Sequence, residues 1–525
     1  MKNLYLLIVG LIILPIVAAV AQTSDWIGTL QTTDKPSPIR LRLEQHGKET
    51  NGSLFVPSER ILMTPIAAVH QDDERISFSV KTMSAEYKFT AKITGSQMTG
   101  EMTSEDKKLS FQMLRLAQVN KSKYFGIYRF ADSHYVYIRT WDELGPDQLT
   151  YITDEGLAGP LYPSSAISFF SGPSLMIPLP QELKVTFVVN NKNEVTDLKW
   201  EDKTGKEKSA KKIALSEEEV EFSDANVKLA GSLVLPNGKK PFPALVLVHG
   251  SGPVTRDFFG PIAYLFANHG IAVLSYDKRG NGKSEGDWLE TGFDVLADDV
   301  LAAVTYLKSR KEIDASHIGL FGVSQGGWII PLAAAKSKDV AFAVLVSAPA
   351  VSPLTQDETR TREELRLAGS SEEEINKAIS DYKNQMDGLM SDEGLQWVQS
   401  EIKKAKDAGN TELLSANGPE NPRFLLWLRT ILHYDPLPAL EKMKCPVLAV
   451  YGELDRGVTV ADNRNLLEST LKKGGTQDVT VVILPNADHA LIECKTGSAS
   501  EFPYLHRFVP GFFETVLHWV SKHAE

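Results

Sequence analysis

Ile318-Gly319-Leu320-Phe321 runs directly into Gly322-Val323-Ser324-Gln325-Gly326. The first four residues read as an apolar strand, and the residues after Gly326 read as a helix. A serine on a sharp strand-to-helix turn sits in strained backbone, and bulky side chains two positions to either side would clash there. Glycine at 322 and at 326 removes both clashes and leaves the Ser324 hydroxyl exposed above the end of a sheet. Ser324 is therefore the candidate nucleophile, and the neighbouring sequence must supply the rest.

Working outward, a β-hairpin signal at Val227 to Leu235 is followed by short apolar strands that alternate with longer helical stretches. The strands are Ala244 to Val248, Ile271 to Tyr276, His317 to Phe321, Phe342 to Val346, Pro446 to Tyr451 and Val479 to Leu484. Apolar strands alternating with helices imply an α/β fold with a mostly parallel sheet covered on both faces. The pattern holds over residues 213–525 and has one long gap, residues 352–436, with no strand signal. Ser371-Glu372-Glu373-Glu374 is a capping box there, and Ile375, Ile379, Tyr382, Met386 and Leu389 follow at helical spacing. The gap predicts a helical cap inserted after the sixth strand.

Upstream the period changes. In residues 22–118, Ile39, Leu41 and Leu43 alternate with charged neighbours, as do Ile76, Phe78 and Val80, and Tyr87, Phe89, Ala91 and Ile93. This period of two marks antiparallel strands buried on one face. Residues 119–212 repeat the style, and Trp26-Ile27-Gly28 and Tyr124-Phe125-Gly126 open the two segments alike. Two β-rich modules thus precede the α/β domain. Residues 1–21 carry Lys2, an apolar stretch Leu4 to Val17 and the small-residue run Ala19-Val20-Ala21. They read as a signal peptide cleaved after Ala21, which predicts a secreted or periplasmic protein with no stable membrane insertion. The two cysteines are expected to stay unpaired. Cys445 precedes its strand and Cys494 follows the end of the neighbouring one, which places them roughly 17 Å apart in a parallel sheet, whereas a disulfide needs Cα atoms about 6 Å apart.

A serine hydroxyl needs a base to take its proton, and the base needs a third group to hold its tautomer. Of the 11 histidines, His489 stands on the loop after the last strand, behind Pro485-Asn486-Ala487-Asp488. His518 and His523 fall in an apparent C-terminal helix, and His506 precedes it. The strand Pro446 to Tyr451 leads through Gly452 into Glu453-Leu454-Asp455. Asp455 is the expected acid, with Glu453 as runner-up, while Asp488 is too close along the chain to orient the His489 ring. Negative charge on a tetrahedral intermediate needs backbone N–H donors aimed at it in advance. Gln325 supplies one, and the loop His249-Gly250-Ser251-Gly252-Pro253 supplies the other, Ser251 before Gly252. His249 reads as a brace for that loop. Asp277-Lys278-Arg279-Gly280-Asn281-Gly282-Lys283-Ser284 lacks the glycine spacing of a phosphate loop and reads as a structural turn.

Taken together these pieces resemble the α/β-hydrolase superfamily, and more narrowly the exported bacterial esterases of the dienelactone-hydrolase and prolyl-oligopeptidase-related branch. The likeness covers residues 213–525. It implies an α/β-hydrolase fold and, since acid and base follow the nucleophile in that order, a triad of Ser324, Asp455 and His489.

The net charge of −11 argues against nucleic acid and anionic membrane surfaces as partners. No metal or cofactor is expected, and a homo-oligomer is left open. The reading is a serine esterase acting on a small-molecule ester through an acyl-enzyme. Two alternatives stand beside it: a serine peptidase of the prolyl-oligopeptidase-like class, and a binding protein on a hydrolase fold. The peptidases of that class gate their site with a β-propeller, and the roughly 190 β-rich residues would make four blades at most without showing a blade repeat.

Overall fold

The computed structural model describes residues 22–524 apart from 48, 73, 83, 84, 146, 411, 412 and 415–417. The proposed signal peptide, residues 1–21, lies outside the described residues. The chain divides into two compact units between Ala117 and Gln118.

The first unit is a nine-stranded antiparallel meander. Counted from its own first strand, the order across the sheet is 4-3-2-1-9-8-7-6-5, so the first and last strands pair. The two edge strands, Ile61–Pro65 and Ala67–Gln71, are separated in sequence by Ile66 alone. One residue spans at most about 7 Å between flanking Cα atoms, so the sheet must curl until its edges nearly meet. The alternating residues point inward: Ile39, Leu41, Leu43, Phe78, Val80 and Phe89 are all buried. Phe78 and Phe89 stand opposite in register and stack at 4.8 Å.

In the second unit, residues 126–213 form another nine-stranded antiparallel sheet with the same order, 4-3-2-1-9-8-7-6-5. Its edge strands Ala158–Pro160 and Tyr162–Pro163 are again separated by one residue. Among the described residues each β-rich segment is thus one nine-stranded sheet, not a set of four-stranded blades.

The rest of the second unit is built on an eight-stranded sheet. Its strands are β1 (Ser216–Asp224), β2 (Val227–Leu235), β3 (Phe242–Val248), β4 (Ala272–Tyr276), β5 (Ile313–Val323), β6 (Phe342–Val346), β7 (Val447–Gly452) and β8 (Val479–Leu484). The order is β1-β2-β4-β3-β5-β6-β7-β8. β1 and β2 form an antiparallel hairpin, β2 meets β4 antiparallel, and every pair from β4 to β8 is parallel. The central strands β4, β6 and β7 are buried along their whole length, as two covered faces require. The helices Phe293–Lys308, Gly326–Lys336 and Val460–Gly474 pack on one face. Ile262–Asn268, Phe512–His523 and the apolar residues Ile127, Tyr137 and Trp141 of the adjoining meander share the core of the other. That meander is therefore joined to the α/β sheet through a common apolar core.

Between β6 and β7 lie, among the described residues, the helices Pro353–Leu367, Glu372–Met390, Asp392–Asp407, Pro422–Ile431 and Leu437–Lys442. The Ser371–Glu374 capping box is formed in both directions. Ile375, Ile379 and Leu389 are buried, and the Tyr382 hydroxyl donates to Asp357 at 3.2 Å. Cys445 and Cys494 are free thiols, both raised to about 11 by burial. Among the described residues no helix is long and apolar enough to cross a membrane.

Candidate active site

Ser324 stands between β5 and the helix Gly326–Lys336, with φ +55°. That left-handed backbone is costly for a residue with a side chain, and it is held from both sides. Ser324 N–H donates to the Val346 carbonyl of β6, and its carbonyl accepts from Gly327 N–H. The flanking glycines are needed for room. A Cβ at Gly322 would lie 2.6 Å from Ile330 Cδ1, and one at Gly326 would lie 2.9 Å from the Val248 carbonyl oxygen of β3.

His489 and Asp455 stand on the loops after β8 and β7. His489 Nδ1 is 2.8 Å from Asp455 Oδ2. The other carboxylate oxygen, Oδ1, accepts from the backbone N–H groups of Gly457 at 2.8 Å and Val458 at 2.7 Å. The Asp455 side chain is fully buried, while the His489 side chain keeps 39% of its surface open toward the cavity. Desolvation, the largest single influence, would lower the His489 pKa, but the Asp455 carboxylate, with Asp488 and Glu143 adding to it, holds the imidazole above its ordinary value. The Ser347 hydroxyl, just past the end of β6, donates to the His489 carbonyl at 2.8 Å and ties the His489 loop to the sheet.

The other candidates fall elsewhere. Glu453 is exposed and accepts from Asn486 N–H at 3.1 Å. Asp488 accepts from Ala490 and Ile492 N–H and makes no bond to the neighbouring imidazole; burial raises it to about 6. His506 and His518 are exposed, and His523 is tied to Asp478. His249 is buried with its Nε2 against the Tyr276 carbonyl. Burial lowers its pKa to about 3, so it is a neutral brace for its loop.

Ser324, Gln325, Ser251, Gly252 and His489 line one cavity of 820 Å³, roofed by residues of the helical insertion such as Phe424, Trp427 and Leu428. The volume is in the range of small-molecule sites. Asp455 is absent from the lining, because it stands behind His489. Among the described residues no group of three or more His, Cys, Asp or Glu is arranged to hold a metal ion.

Two residues at this site were not singled out from the sequence. Glu143, from a short turn of the adjoining meander, also lines the cavity, and desolvation raises its carboxyl above the ordinary range. The turn is anchored by Thr255, whose hydroxyl donates to Asp142 at 2.6 Å, and by Trp141, which stacks on Phe508. Lys278 lies buried behind the His249–Pro253 loop. Neither had a signal in its local sequence, since both owe their position to packing between distant segments. The remainder of the Asp277–Ser284 turn is structural: Asp277 is gripped by Arg256, and Arg279 by Asp299 and Asp224.

The strand order of the eight-stranded sheet and the strand-to-helix turn at Ser324 are those of an α/β-hydrolase fold. Residues 239–493 match the family described as serine aminopeptidase, S33. Esterase EstD of Thermotoga maritima is 28% identical over 301 residues, a match that covers 55% of this chain and 64% of that one. Thiohydrolase aneE of Aspergillus aculeatus is 40% identical over 111 residues, covering 21% of this chain and 34% of the relative. The chain therefore spans less than two thirds of the length of either. Among solved structures, α/β hydrolase GrgF from Penicillium sp. sh18 superposes with a TM-score of 0.39 at 23% identity, over 59% of this chain and 99% of that one.

Proposed function

We propose that this chain is a serine hydrolase that cleaves carboxylic esters of small molecules through an acyl-enzyme. The observation that carries the reading is the His489–Asp455 hydrogen bond of 2.8 Å on the two loops that follow β7 and β8, with His489 lining the same cavity as Ser324. In this reading Ser324 Oγ attacks the ester carbonyl carbon as His489 Nε2 takes its proton. Asp455 holds Nδ1–H and stabilises the imidazolium. The N–H groups of Ser251 and Gln325 receive the oxyanion. The imidazolium then protonates the leaving alcohol, and water, deprotonated by the same histidine, releases the acid. The name of esterase EstD supports an ester as substrate. We take residues 1–21 as an export signal, which gives a secreted or periplasmic enzyme.

The description of the matched family favours a second reading, an aminopeptidase using the same residues on an amide. Hydrolysis of p-nitrophenyl esters from acetate to decanoate, beside chromogenic aminoacyl and prolyl amides, separates the two. The expected result is ester turnover abolished in Ser324→Ala, with amides untouched. Amide cleavage at comparable rates moves the assignment to peptidase, and turnover that survives in Ser324→Ala removes Ser324 as nucleophile.

A further inference from the structure

Lys278 is 1% exposed, and no carboxylate is bonded to it. Its ammonium donates to three oxygens instead: the Gly250 carbonyl at 2.7 Å, the Gly252 carbonyl at 2.9 Å and Gln325 Oε1 at 3.2 Å. The Trp288 ring lies 5.5 Å away. Three donors thus meet three acceptors, and every acceptor belongs to the His249–Pro253 loop or to the residue after the nucleophile. Burial lowers the Lys278 pKa to about 7. A cation kept out of water without an anion is costly unless something compensates it.

The peptide geometry shows what it could act on. In a trans peptide the C=O and the following N–H lie in one plane and point in opposite directions. The Gly250 carbonyl and the Ser251 N–H belong to one such unit. With the carbonyl fixed on the buried ammonium, the Ser251 N–H faces away from Lys278, and Ser251 lines the cavity. The hydrogen bond to the carbonyl also polarises the amide and makes its N–H a stronger donor. Lys278 further holds the Gln325 side chain, and so links the two segments that bear the proposed donors.

We propose that Lys278 is a positioning residue of the oxyanion hole, fixing and polarising the Gly250–Ser251 peptide and tying it to Gln325. This rests on the reading of Ser324 as nucleophile. The missing anion is then the one formed during the reaction: negative charge on the substrate oxygen, one peptide unit from the ammonium. Lys278 touches no reacting atom. Its effect belongs to the transition state, and so to kcat rather than KM.

The test compares the full chain with Lys278→Met, Lys278→Gln, Lys278→Arg and Ser324→Ala. The readouts are kcat and KM on a p-nitrophenyl ester, inhibition by a trifluoromethyl ketone that forms a tetrahedral adduct, and thermal melting. Loss of a direct oxyanion donor costs 10²–10³-fold in kcat, so loss of its support is expected to cost ~10- to ~10²-fold in Lys278→Met. KM should stay within about twofold, the ketone should bind weaker by the same factor as kcat falls, and Lys278→Arg, which keeps the cation, should recover part of the loss. If Lys278→Met has no cooperative melt, Lys278→Gln, which retains a donor without the charge, is judged by the same numbers. Wild-type kcat in folded Lys278→Met, or in Lys278→Gln where the Met variant does not melt cooperatively, overturns the proposal, as does a lowered kcat with unchanged ketone affinity. Those results leave the nucleophile reading intact if Ser324→Ala is inactive. Full turnover in Ser324→Ala removes both.

Discussion

Replacing Asp455 by Asn tests the triad with almost no change in shape. Asp455 Oδ1 already accepts from Gly457 and Val458 N–H, and Oδ2 faces His489 Nδ1. An asparagine at this site must keep its oxygen toward the two N–H groups, because the reversed amide would set donor against donor. Leaving two buried N–H groups unpaired costs about 2–6 kcal/mol. The favoured orientation therefore turns the NH2 toward His489, which must accept through Nδ1 and carry its proton on Nε2. That tautomer cannot take the serine proton. A wrong tautomer in a triad costs about 10⁴ in kcat, equivalent to about 5.4 kcal/mol. If the amide reverses instead, the barrier to restoring a working histidine is the 2–6 kcal/mol above, and the loss is still at least ~30-fold. The assay is steady-state ester hydrolysis at pH 7, with the rate of fluorophosphonate labelling of Ser324 as a second readout that should fall in parallel. Melting should barely move, because the two backbone bonds survive. Glu453→Gln, the control at the other acidic position on that loop, should retain activity within about twofold. A loss under ~10-fold in Asp455→Asn, or a larger loss in Glu453→Gln, would refute the reasoning and pass the acid role to Glu453.

Glu143 is among the groups that raise the pKa of His489. In the proposed mechanism His489 must be neutral to act, so activity should fall as pH drops through that pKa. Glu143→Gln removes a negative charge, lowers the imidazole pKa, and should move the acidic limb of kcat/KM to lower pH; a limb that stays in place or moves upward in a pH–rate profile contradicts this. Arg139 is buried where the meander meets the α/β sheet, bonded to Glu217, to Asp257 at 3.1 Å and to the Tyr264 hydroxyl at 3.1 Å. Arg139→Ala removes these bonds; the two carboxylates keep about a quarter of their side chains exposed, so the expected loss is that of hydrogen bonds to a charged group, about 1.5–3 kcal/mol. Chemical denaturation should show that loss, and a change below about 1 kcal/mol would mean the partners are solvated after all.

What could be read along the chain was local. The Gly-x-Ser-x-Gly turn is legible because its strain fixes which residues can flank Ser324, and the Cβ clashes at Gly322 and Gly326 are its cause. The six apolar strands and the helical gap were legible because each carries its own period. His489 and Asp455 could be selected because both directly follow strands. The hairpin signal, Val227 to Leu235, is one arm; the other, Ser216–Asp224, buries only Val220 and Phe222 among charged neighbours and has no continuous apolar run to mark it. The alternation in the β modules was legible, but the pairing of each first strand with its ninth was not, because it joins residues some 90 positions apart, such as Trp26 and Arg115. The echo of Trp26-Ile27-Gly28 in Tyr124-Phe125-Gly126 falls at the first strand of two sheets with the same strand order. Glu143 was hidden for the same reason as the ninth strand: its place depends on a segment far away.

The Asp277–Ser284 turn shows why a structural reading of a charged stretch can be right and still incomplete. The turn begins just past the end of β4, Ala272–Tyr276, and its first three residues, all charged, have separate partners. Asp277 and Arg279, two apart, both enter ion pairs, with Arg256 and with Asp299 and Asp224. Lys278 between them has no ion pair and instead meets carbonyl and amide oxygens and the Trp288 ring. The ion pairs anchor the turn on both sides of the lysine, whose ammonium reaches the Gly250 carbonyl at 2.7 Å. The order of the three residues therefore matters more than their composition. Exchanging Lys278 and Arg279 preserves the charge of the turn, yet it places a planar guanidinium, with its fixed fork of donors, where three separate oxygens surround a single ammonium. The same anchoring that makes the turn look purely structural is what would let Lys278 act on the site.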